Sequence, residues 1–358
     1  MPRRFAGAGV SIGSAPDGPV TILIASPLEP GEVARIAAVA PDRVRVVHEP
    51  RLLGTPRYVA DHRGSPPKLS KADLARWRSL LADADVLFDF DWLDPVAMRS
   101  NAPRLRWVQA TSAGIGEFVH EAGLETSGIM FTTAAGVHAV PLSEFAILGL
   151  LYFTKNVPWL KEEQARHHWQ RYTVEQLAGK RALVIGLGHV GRQVALACAH
   201  MGLEVFGMSG SSNEPPEGVT RLVKRHELHD VLPDVNALIL SLPHTSETNH
   251  LIGREELALL PRSAVLVNVS RGGVVDEPEL VSALREGRLV GAALDVFERE
   301  PLPEDSPLWD MPNVLISPHS ASTVAAENHR IVDLFIDNLR RYLDGLPLRN
   351  VFVAARGY

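Results

Sequence analysis

The sequence predicts an α/β protein of two similar domains, each a parallel sheet with helices on both faces. Three observations carry this. The chain has 358 residues, more than one hydrophobic core usually organises. Short apolar runs rich in β-branched residues alternate with helical patterns, the order that produces parallel sheets. That rhythm runs twice, once on each side of the apolar segment Val140–Asn156 (VPLSEFAILGLLYFTKN).

In the first series, Val20–Ser26 (VTILIAS) reads as a buried strand, Pro30–Val39 as a helix and Val44–His48 as a second strand. Arg51–Ser70 is rich in Gly and Pro and has no period, so it reads as a long loop. Lys71–Leu81 has helical spacing; Val86–Asp89, Arg106–Ala110 and Ile129–Thr133 read as strands. Val140–Asn156 is apolar nearly all round and predicts a helix covered on more than one face. In the second series the strands are Ala182–Gly186, Val205–Met208, Ala237–Leu240, Ala264–Val267, Gly291–Asp295 and Val314–Ser317. Glu327–Leu343 is an amphipathic helix closed by Asp344-Gly345; the pattern alone does not say on which domain it packs.

Composition excludes some classes. Lys and Arg total 36 against 42 Asp and Glu, a net charge of −6, the wrong sign for a nucleic-acid surface. One cysteine, Cys198, cannot form an intrachain disulfide, which suits a reducing, cytoplasmic setting; its place in VALACAHMG points to packing rather than reactivity. The longest apolar run, Phe145–Phe153, is about half of what a bilayer requires, so no membrane span is expected. Residues 1–18 read as a disordered tail, too rich in Gly and Ser for an export signal.

Gly186-Leu187-Gly188-His189-Val190-Gly191 follows an apolar strand and opens a helix, the context a dinucleotide-binding turn needs. Gly186 permits the tight turn, Gly188 lets backbone approach a pyrophosphate, and Gly191 lets the helix pack on the strand. The helix N-terminus, at His189 and Val190, offers free N–H groups to phosphate. An NAD site usually carries an acidic residue after the next strand. Here that strand ends in Met208-Ser209-Gly210-Ser211-Ser212. With no carboxylate to repel a 2′-phosphate, hydroxyls at Ser209 and Ser211 to bind it, and Arg221, Lys224 or Arg225 in reach, the reading leans toward NADP over NAD.

Further motifs follow in order: SLPHTSETNHLI at Ser241–Ile252, VNVSRGGVVDE at Val267–Glu277, GAALDVFEREPLP at Gly291–Pro303, and SPHSAS at Ser317–Ser322. In this order they resemble the D-isomer-specific 2-hydroxyacid dehydrogenase family, from about Leu177 to His319. The first half is less similar, apart from Ser112–Ile115 and Ala135–Glu144. The resemblance implies hydride transfer between a nicotinamide and a 2-oxo or 2-hydroxy acid. Arg271 would bind the substrate carboxylate with its planar fork and polarise the 2-oxo group. His319 would exchange the proton, as an imidazole titrating near neutrality can. Glu300 would fix the tautomer of His319 and favour its charged form. Asp295 would hold the nicotinamide carboxamide. Backbone N–H groups of Ser112, Ala113 and Gly114 would meet the carboxylate, while Pro243 and His244 would border the cofactor. No residue is assigned to a metal. Taken singly, each has a plainer reading: a surface arginine in a Gly-flanked turn, one loop histidine of 14, a solvated acid beside Glu298, Arg299 and Asp305. Order and flanking sequence separate them from that background.

The resemblance also implies two Rossmann-like domains with an active-site cleft between them: a substrate domain, 19–137 with 320–358, and a dinucleotide domain, 138–319. It implies a homodimer formed through Val140–Asn156 and the arm Val157–Trp169. Gly116 and Glu117 stand where relatives often carry Asp, and His138 where Asn is frequent. Glu300 argues for hydroxy acids rather than formate, whose dehydrogenases generally carry Gln there. Phe90 and Trp92 follow a strand and either line the pocket, favouring a bulky 2-oxo acid, or belong to the core. Two other readings stand beside the enzyme: an NAD(H)-sensing, corepressor-like binder, and a relative acting on another small acid such as phosphite.

Overall fold

The structure, a computed structural model, describes residues 18–354 with residue 211 left out. The expectations for the N-terminal tail and for Ser211 lie outside the described residues. The chain forms two compact units. One takes the residues up to Val137 together with those from Thr323 on; the other is His138–Ser322.

The first unit is a five-stranded parallel sheet of β1 (Val20–Ile24), β2 (Val44–Val47), β3 (Val86–Phe88), β4 (Trp107–Gln109) and β5 (Met130–Thr132). Its order is β2-β1-β3-β4-β5. Strands buried on both faces read as continuous apolar runs, and β1 (VTILI) is buried throughout. One face packs Leu23, Leu87 and Val108 against Trp77, Leu80 and Leu81 of the helix Lys71–Asp83. The other carries Ile22, Phe88 and Trp107, covered by the terminal helix Glu327–Leu343. There Trp107 stacks on Phe335 and Tyr342, with ring centroids 5.1 and 5.4 Å away. The helix therefore closes the first unit, a placement its own amphipathic pattern leaves open.

The segment expected as a structureless loop, Arg51–Ser70, is organised. It begins in a 3₁₀ turn, Pro50–Leu52, and is pinned by an antiparallel bridge between Thr55 and Ser65. Asp61 is its hub: Arg57 donates to it through Nε (2.7 Å), Nη2 (3.1 Å) and its backbone N–H (3.0 Å), and the Gly64 N–H adds a fourth bond (3.1 Å). These donors, Arg57 first, hold the Asp61 carboxyl down at about 2 against the cost of burial. Turns held by side chain-to-backbone bonds leave no periodic trace, which is why the sequence shows only Gly and Pro there.

The second unit is a seven-stranded parallel sheet of β6 (Arg181–Ile185), β7 (Glu204–Met208), β8 (Arg221–Val223), β9 (Ala237–Leu240), β10 (Val265–Asn268), β11 (Gly291–Leu294) and β12 (Val314–Ile316), in the order β12-β11-β10-β9-β6-β7-β8. The edge strand β8 is three residues long, too short to show an alternation in the sequence. The apolar helix, observed as Ala139–Thr154, lies so close to β11 that a Cβ on Gly149 would sit 2.5 Å from the Ala293 Cβ. Its other side keeps Val140 and Leu148 exposed. Two parallel-sheet α/β units are thus the architecture, as the alternation predicts. No helix among the described residues is long and apolar enough to cross a membrane.

Candidate active site

In the second unit the chain leaves β6 toward β7 and β8, then crosses to β9 on the other side. Ligands of doubly wound sheets bind outside the carboxyl ends of strands at such a switch point. The glycine turn lies there. Gly186 has φ 96°, in the left-handed region, and a Cβ on it would meet the Ser241 carbonyl at 2.6 Å. On Gly191 a Cβ would sit 1.7 Å from the Gly186 oxygen, so the helix His189–His200 can approach β6 only with glycine at 191. A Cβ on Gly188 would meet nothing within 4 Å, which leaves room in front of the turn. Gly188 caps the helix without a side-chain bond, so the first N–H groups, at His189 and Val190, have no side-chain cap among the described residues. These three glycines and the open helix end fit a dinucleotide pyrophosphate.

β7 ends at Met208, and the four residues that follow it, 209–212, include no acid. Ser209 accepts from the Ser212 N–H (3.1 Å). Arg192 lies outside the motifs that the sequence marks. Its Nε donates to the Leu187 carbonyl (2.9 Å) and its Nη2 reaches the Ser212 hydroxyl (3.4 Å), placing a cation at this loop. The signal was present: an arginine in the first turn of a helix opposes the macrodipole unless something there favours positive charge. Arg221, in contrast, is committed to Glu227 at 2.8 Å, while Lys224 and Arg225 are exposed.

The remaining candidates gather at the ends of β10, β11 and β12. Asn268, the last residue of β10, accepts from the Ser270 hydroxyl (2.6 Å) and donates to the Arg271 carbonyl (3.2 Å), shaping the turn that presents Arg271. A Cβ on Gly272 would overlap the Phe297 carbonyl carbon at 1.9 Å; one on Gly273 would strike the His244 ring at 2.8 Å. His244 therefore lies against the Arg271 turn, bonded to Asn249 Oδ1 (2.9 Å). The Pro243 carbonyl accepts from Thr248 (2.8 Å), closing the same loop.

His319 Nδ1 pairs with Glu300 Oε2 at 2.7 Å, and the other Glu300 oxygen accepts from the Phe297 N–H at 3.0 Å. The bond to Glu300 raises the His319 pKa above its ordinary value; burial and the charge of Arg271 oppose it, and the charges of Glu300 and Asp295 assist. Burial pushes Glu300 up, but His319, the Phe297 N–H and the charge of Arg271 together bring it below the usual range. Both shifts favour a charged pair. His319 has φ 52°, and its backbone N–H donates to the Asp295 carbonyl (2.9 Å). Asp295 is 2% exposed and raised by that burial. Its Oδ1 accepts from the Ser317 hydroxyl (2.6 Å) and the N–H groups of Ser320 and Ala321 (both 2.9 Å). In this structure Asp295 is the anchor of the His319 loop, a role the sequence did not suggest.

In the first unit, Ser112, Ala113 and Gly114 form an exposed loop after β4. Their N–H groups donate to nothing else among the described residues. Phe90 is 1% exposed, a core residue packed on Phe131 and Phe118, whereas Trp92 is half-buried at the edge of a cavity. His138 immediately precedes the helix Ala139–Thr154.

Such a glycine turn with an arginine and a carboxylate-paired histidine at neighbouring strand ends defines a nicotinamide-dependent oxidoreductase of small acids. The model for the family "D-isomer specific 2-hydroxyacid dehydrogenase, NAD binding domain" matches residues 147–321. A glyoxylate/hydroxypyruvate reductase B of Pectobacterium carotovorum subsp. carotovorum is 34% identical over 251 residues, 68% of this chain and 78% of that protein. A glyoxylate reductase of Aeropyrum pernix is 34% identical over 275 residues, 74% and 81% of the two chains. A D-isomer specific 2-hydroxyacid dehydrogenase from Xanthobacter autotrophicus Py2, solved with NADPH and MES, superposes with a TM-score of 0.75 at 28% identity, covering 95% of this chain and 100% of that one. An NADPH-dependent glyoxylate/hydroxypyruvate reductase from Sinorhizobium meliloti, solved with NADP and sulfate, gives 0.74 at 26% identity, with coverages of 95% and 100%. The chain belongs to the D-isomer-specific 2-hydroxyacid dehydrogenase family. It is an NAD(P)-dependent oxidoreductase acting on 2-hydroxy acids.

Proposed function

We propose that the enzyme works as a 2-oxo acid reductase, with Arg271 as carboxylate clamp, His319 as proton donor and Glu300 as its partner. The observation that carries this reading is the 2.7 Å contact between His319 and Glu300 beside the Arg271 turn. When bound, the reduced nicotinamide supplies a hydride, two electrons and one hydrogen nucleus, to carbon 2 of the substrate. The chain supplies everything else. The Arg271 guanidinium takes the carboxylate as a planar fork and draws charge from the carbonyl. His319, protonated because Glu300 favours its charge, passes a proton to the developing alkoxide. Its other nitrogen stays bonded to Glu300, which keeps the tautomer fixed. Asp295 holds the loop that aims His319, and its inferred contact with the carboxamide would use the same carboxylate.

The cofactor reading is NADPH over NADH. It is supported by the lack of a carboxylate in the four residues directly after β7, the hydroxyl of Ser209 and the Arg192 guanidinium at Ser212. A homodimer through the second unit is supported by the exposed Leu148 on an otherwise apolar helix and by Trp169, 94% exposed beyond the helix Val157–Ala165. The buried, unreactive Cys198, its thiol pushed up to about 12 by burial, is consistent with a cytoplasmic protein. The test is a panel of 2-oxo acids assayed with NADH and with NADPH, alongside sedimentation of the purified protein. Turnover with a higher kcat/KM for NADPH is expected. Tight nucleotide binding without turnover of any acid overturns the catalytic reading.

A further inference from the structure

The segments that present Arg271 and Glu300 meet a second time, beyond the contact of Gly272 with Phe297. The Glu298 N–H donates to Glu277 Oε2 (3.0 Å), and the Glu277 N–H donates to Glu298 Oε1 (3.2 Å). Each carboxylate thus takes the backbone N–H of the residue that bears the other. Two acids so placed repel one another unless something positive stands near. Two groups supply it. Glu277 is the first residue of the helix Glu277–Arg285, so Glu298 Oε1 sits at the positive end of that helix. His250 Nε2 lies 2.9 Å from the same oxygen, and its Nδ1 lies 3.6 Å from Asp276 Oδ2. Glu277 is half-buried; that burial, helped by the charge of Glu298, raises its pKa against the pull of the Glu298 N–H.

This clamp gathers three stretches of chain, all in the second unit. Main chain ties His250 to the Arg271 turn. Its N–H donates to the Gly273 carbonyl (2.8 Å), Ile252 bridges to Val275, and the Asp276 N–H returns to the Ile252 carbonyl (3.0 Å). His250 has φ 48°, in the left-handed region that His and Asn enter more readily than most residues. Its neighbour Asn249 holds the His244 ring at 2.9 Å. On the other side, Glu298 directly follows Phe297, whose N–H holds Glu300 Oε1 at 3.0 Å. Adjacent N–H groups therefore do two things. That of Phe297 orients Glu300, and that of Glu298 fixes the same stretch to the segment leading from Arg271.

We propose that Glu298 is a positioning residue for the reaction: clamped to Glu277 and His250, it holds the Phe297–Glu300 stretch where Glu300 meets His319 beside the Arg271 turn. The inference rests on the roles of Arg271, His319 and Glu300 given above and adds the group that aligns them. A misplacement of about 1 Å costs on the order of 100-fold in rate, so a backbone clamp that need not touch the substrate is enough to matter.

The test is the pH profile of kcat/KM for reduction, with Tm, in the full-length wild type, Glu298→Ala, Glu298→Gln, His250→Asn, Glu300→Gln and Leu280→Ala, using the preferred nicotinamide and the best 2-oxo acid of the panel. Glu298→Ala should lower kcat/KM about tenfold, mainly through kcat, and move the falling limb to lower pH, because Glu300 no longer meets His319 squarely. Glu298→Gln loses the charge but keeps the acceptor oxygen, so it should restore most of the rate and the wild-type limb. His250→Asn keeps the left-handed turn but cannot span to Glu298, and should give a smaller shift in the same direction. Leu280, buried in the helix Glu277–Arg285, supplies the destabilised control: Leu280→Ala should lower Tm and leave the limb in place. A limb unmoved in both Glu298→Ala and His250→Asn overturns the positioning role. So does a limb moved as far by Glu298→Gln or Leu280→Ala as by Glu298→Ala, since charge or stability alone would then account for it. A limb unmoved by Glu300→Gln instead overturns the reading of the His319–Glu300 pair on which the inference rests.

Discussion

In the proposed mechanism Arg271 and the His319–Glu300 pair carry the chemistry, and their roles separate by experiment. Arg271→Lys keeps the charge but loses the planar fork. The expected loss is about 2–4 kcal/mol of transition-state stabilisation, read in kcat/KM, with nucleotide affinity little changed. A kcat/KM within about threefold of wild type would remove Arg271 from the clamp. For the pair, the sign follows from the shifts. His319 is raised, so its charged form, and the stability it gains from Glu300, is fully present below the unfolded histidine value and is lost as pH rises through the folded one. Glu300 is lowered, so its contribution is present above the unfolded carboxyl value and fades as pH falls through the folded one. Reduction needs protonated His319. The reductive rate should therefore hold to a higher pH than a free imidazole allows, then fall. Glu300→Gln should move that limb to lower pH, and His319→Ala should remove most activity, with little further loss in the double variant. A pH profile of kcat/KM for each variant decides it; superposable wild-type and Glu300→Gln profiles would dissolve the pair.

Elements position these side chains through close backbone approaches, and glycines mark where. The turn after β10 touches the segment after β11 at Gly272, where a Cβ would overlap the Phe297 carbonyl carbon at 1.9 Å. Gly272→Ala must push the Arg271 turn away from the segment that leads to Glu300. Overpacking of this kind costs about 1–3 kcal/mol, a fall of several degrees in Tm, and kcat should drop along with it. An unchanged kcat and Tm would show that the contact yields freely. The loop after β7 behaves differently. A Cβ on Gly210 would meet nothing within 4 Å, so Gly210→Asp can be accommodated. Its carboxylate should repel a 2′-phosphate and accept from ribose hydroxyls, turning the ratio of kcat/KM values toward NADH. An unmoved ratio would assign cofactor choice to other groups.

At the scale of the whole molecule, the terminal helix belongs to the first unit although nearly 200 residues of chain intervene between it and β5. Phe335 is fully buried, edge to face with Phe88 at 5.2 Å and stacked on Trp107. Phe335→Ala should cost the first unit about 3–5 kcal/mol. Hydrogen exchange should then quicken at β1, β3 and β4, which lie beneath that helix. Unchanged protection there would mean that the helix is not needed to hold the sheet.

The sequence by itself determined the two parallel-sheet units, the glycine turn, and the order of Arg271, Glu300 and His319. Each of these is written locally: a buried strand is a run of apolar residues, a dinucleotide turn is three glycines between strand and helix, and the motifs proposed as catalytic carry their own flanks. Tertiary structure decided what depends on residues far apart in the chain. It assigned the last helix to the first sheet, showed the edge strand Arg221–Val223, and gave order to the Arg51–Ser70 loop. It also made Asp295 the anchor of the His319 loop, set Arg192 beside Ser212, and put Phe90 in the core with Trp92 at the cavity. Hydrogen bonds to a buried carboxylate and ring contacts between loops have no period and no fixed spacing, so only the folded chain brings their partners together.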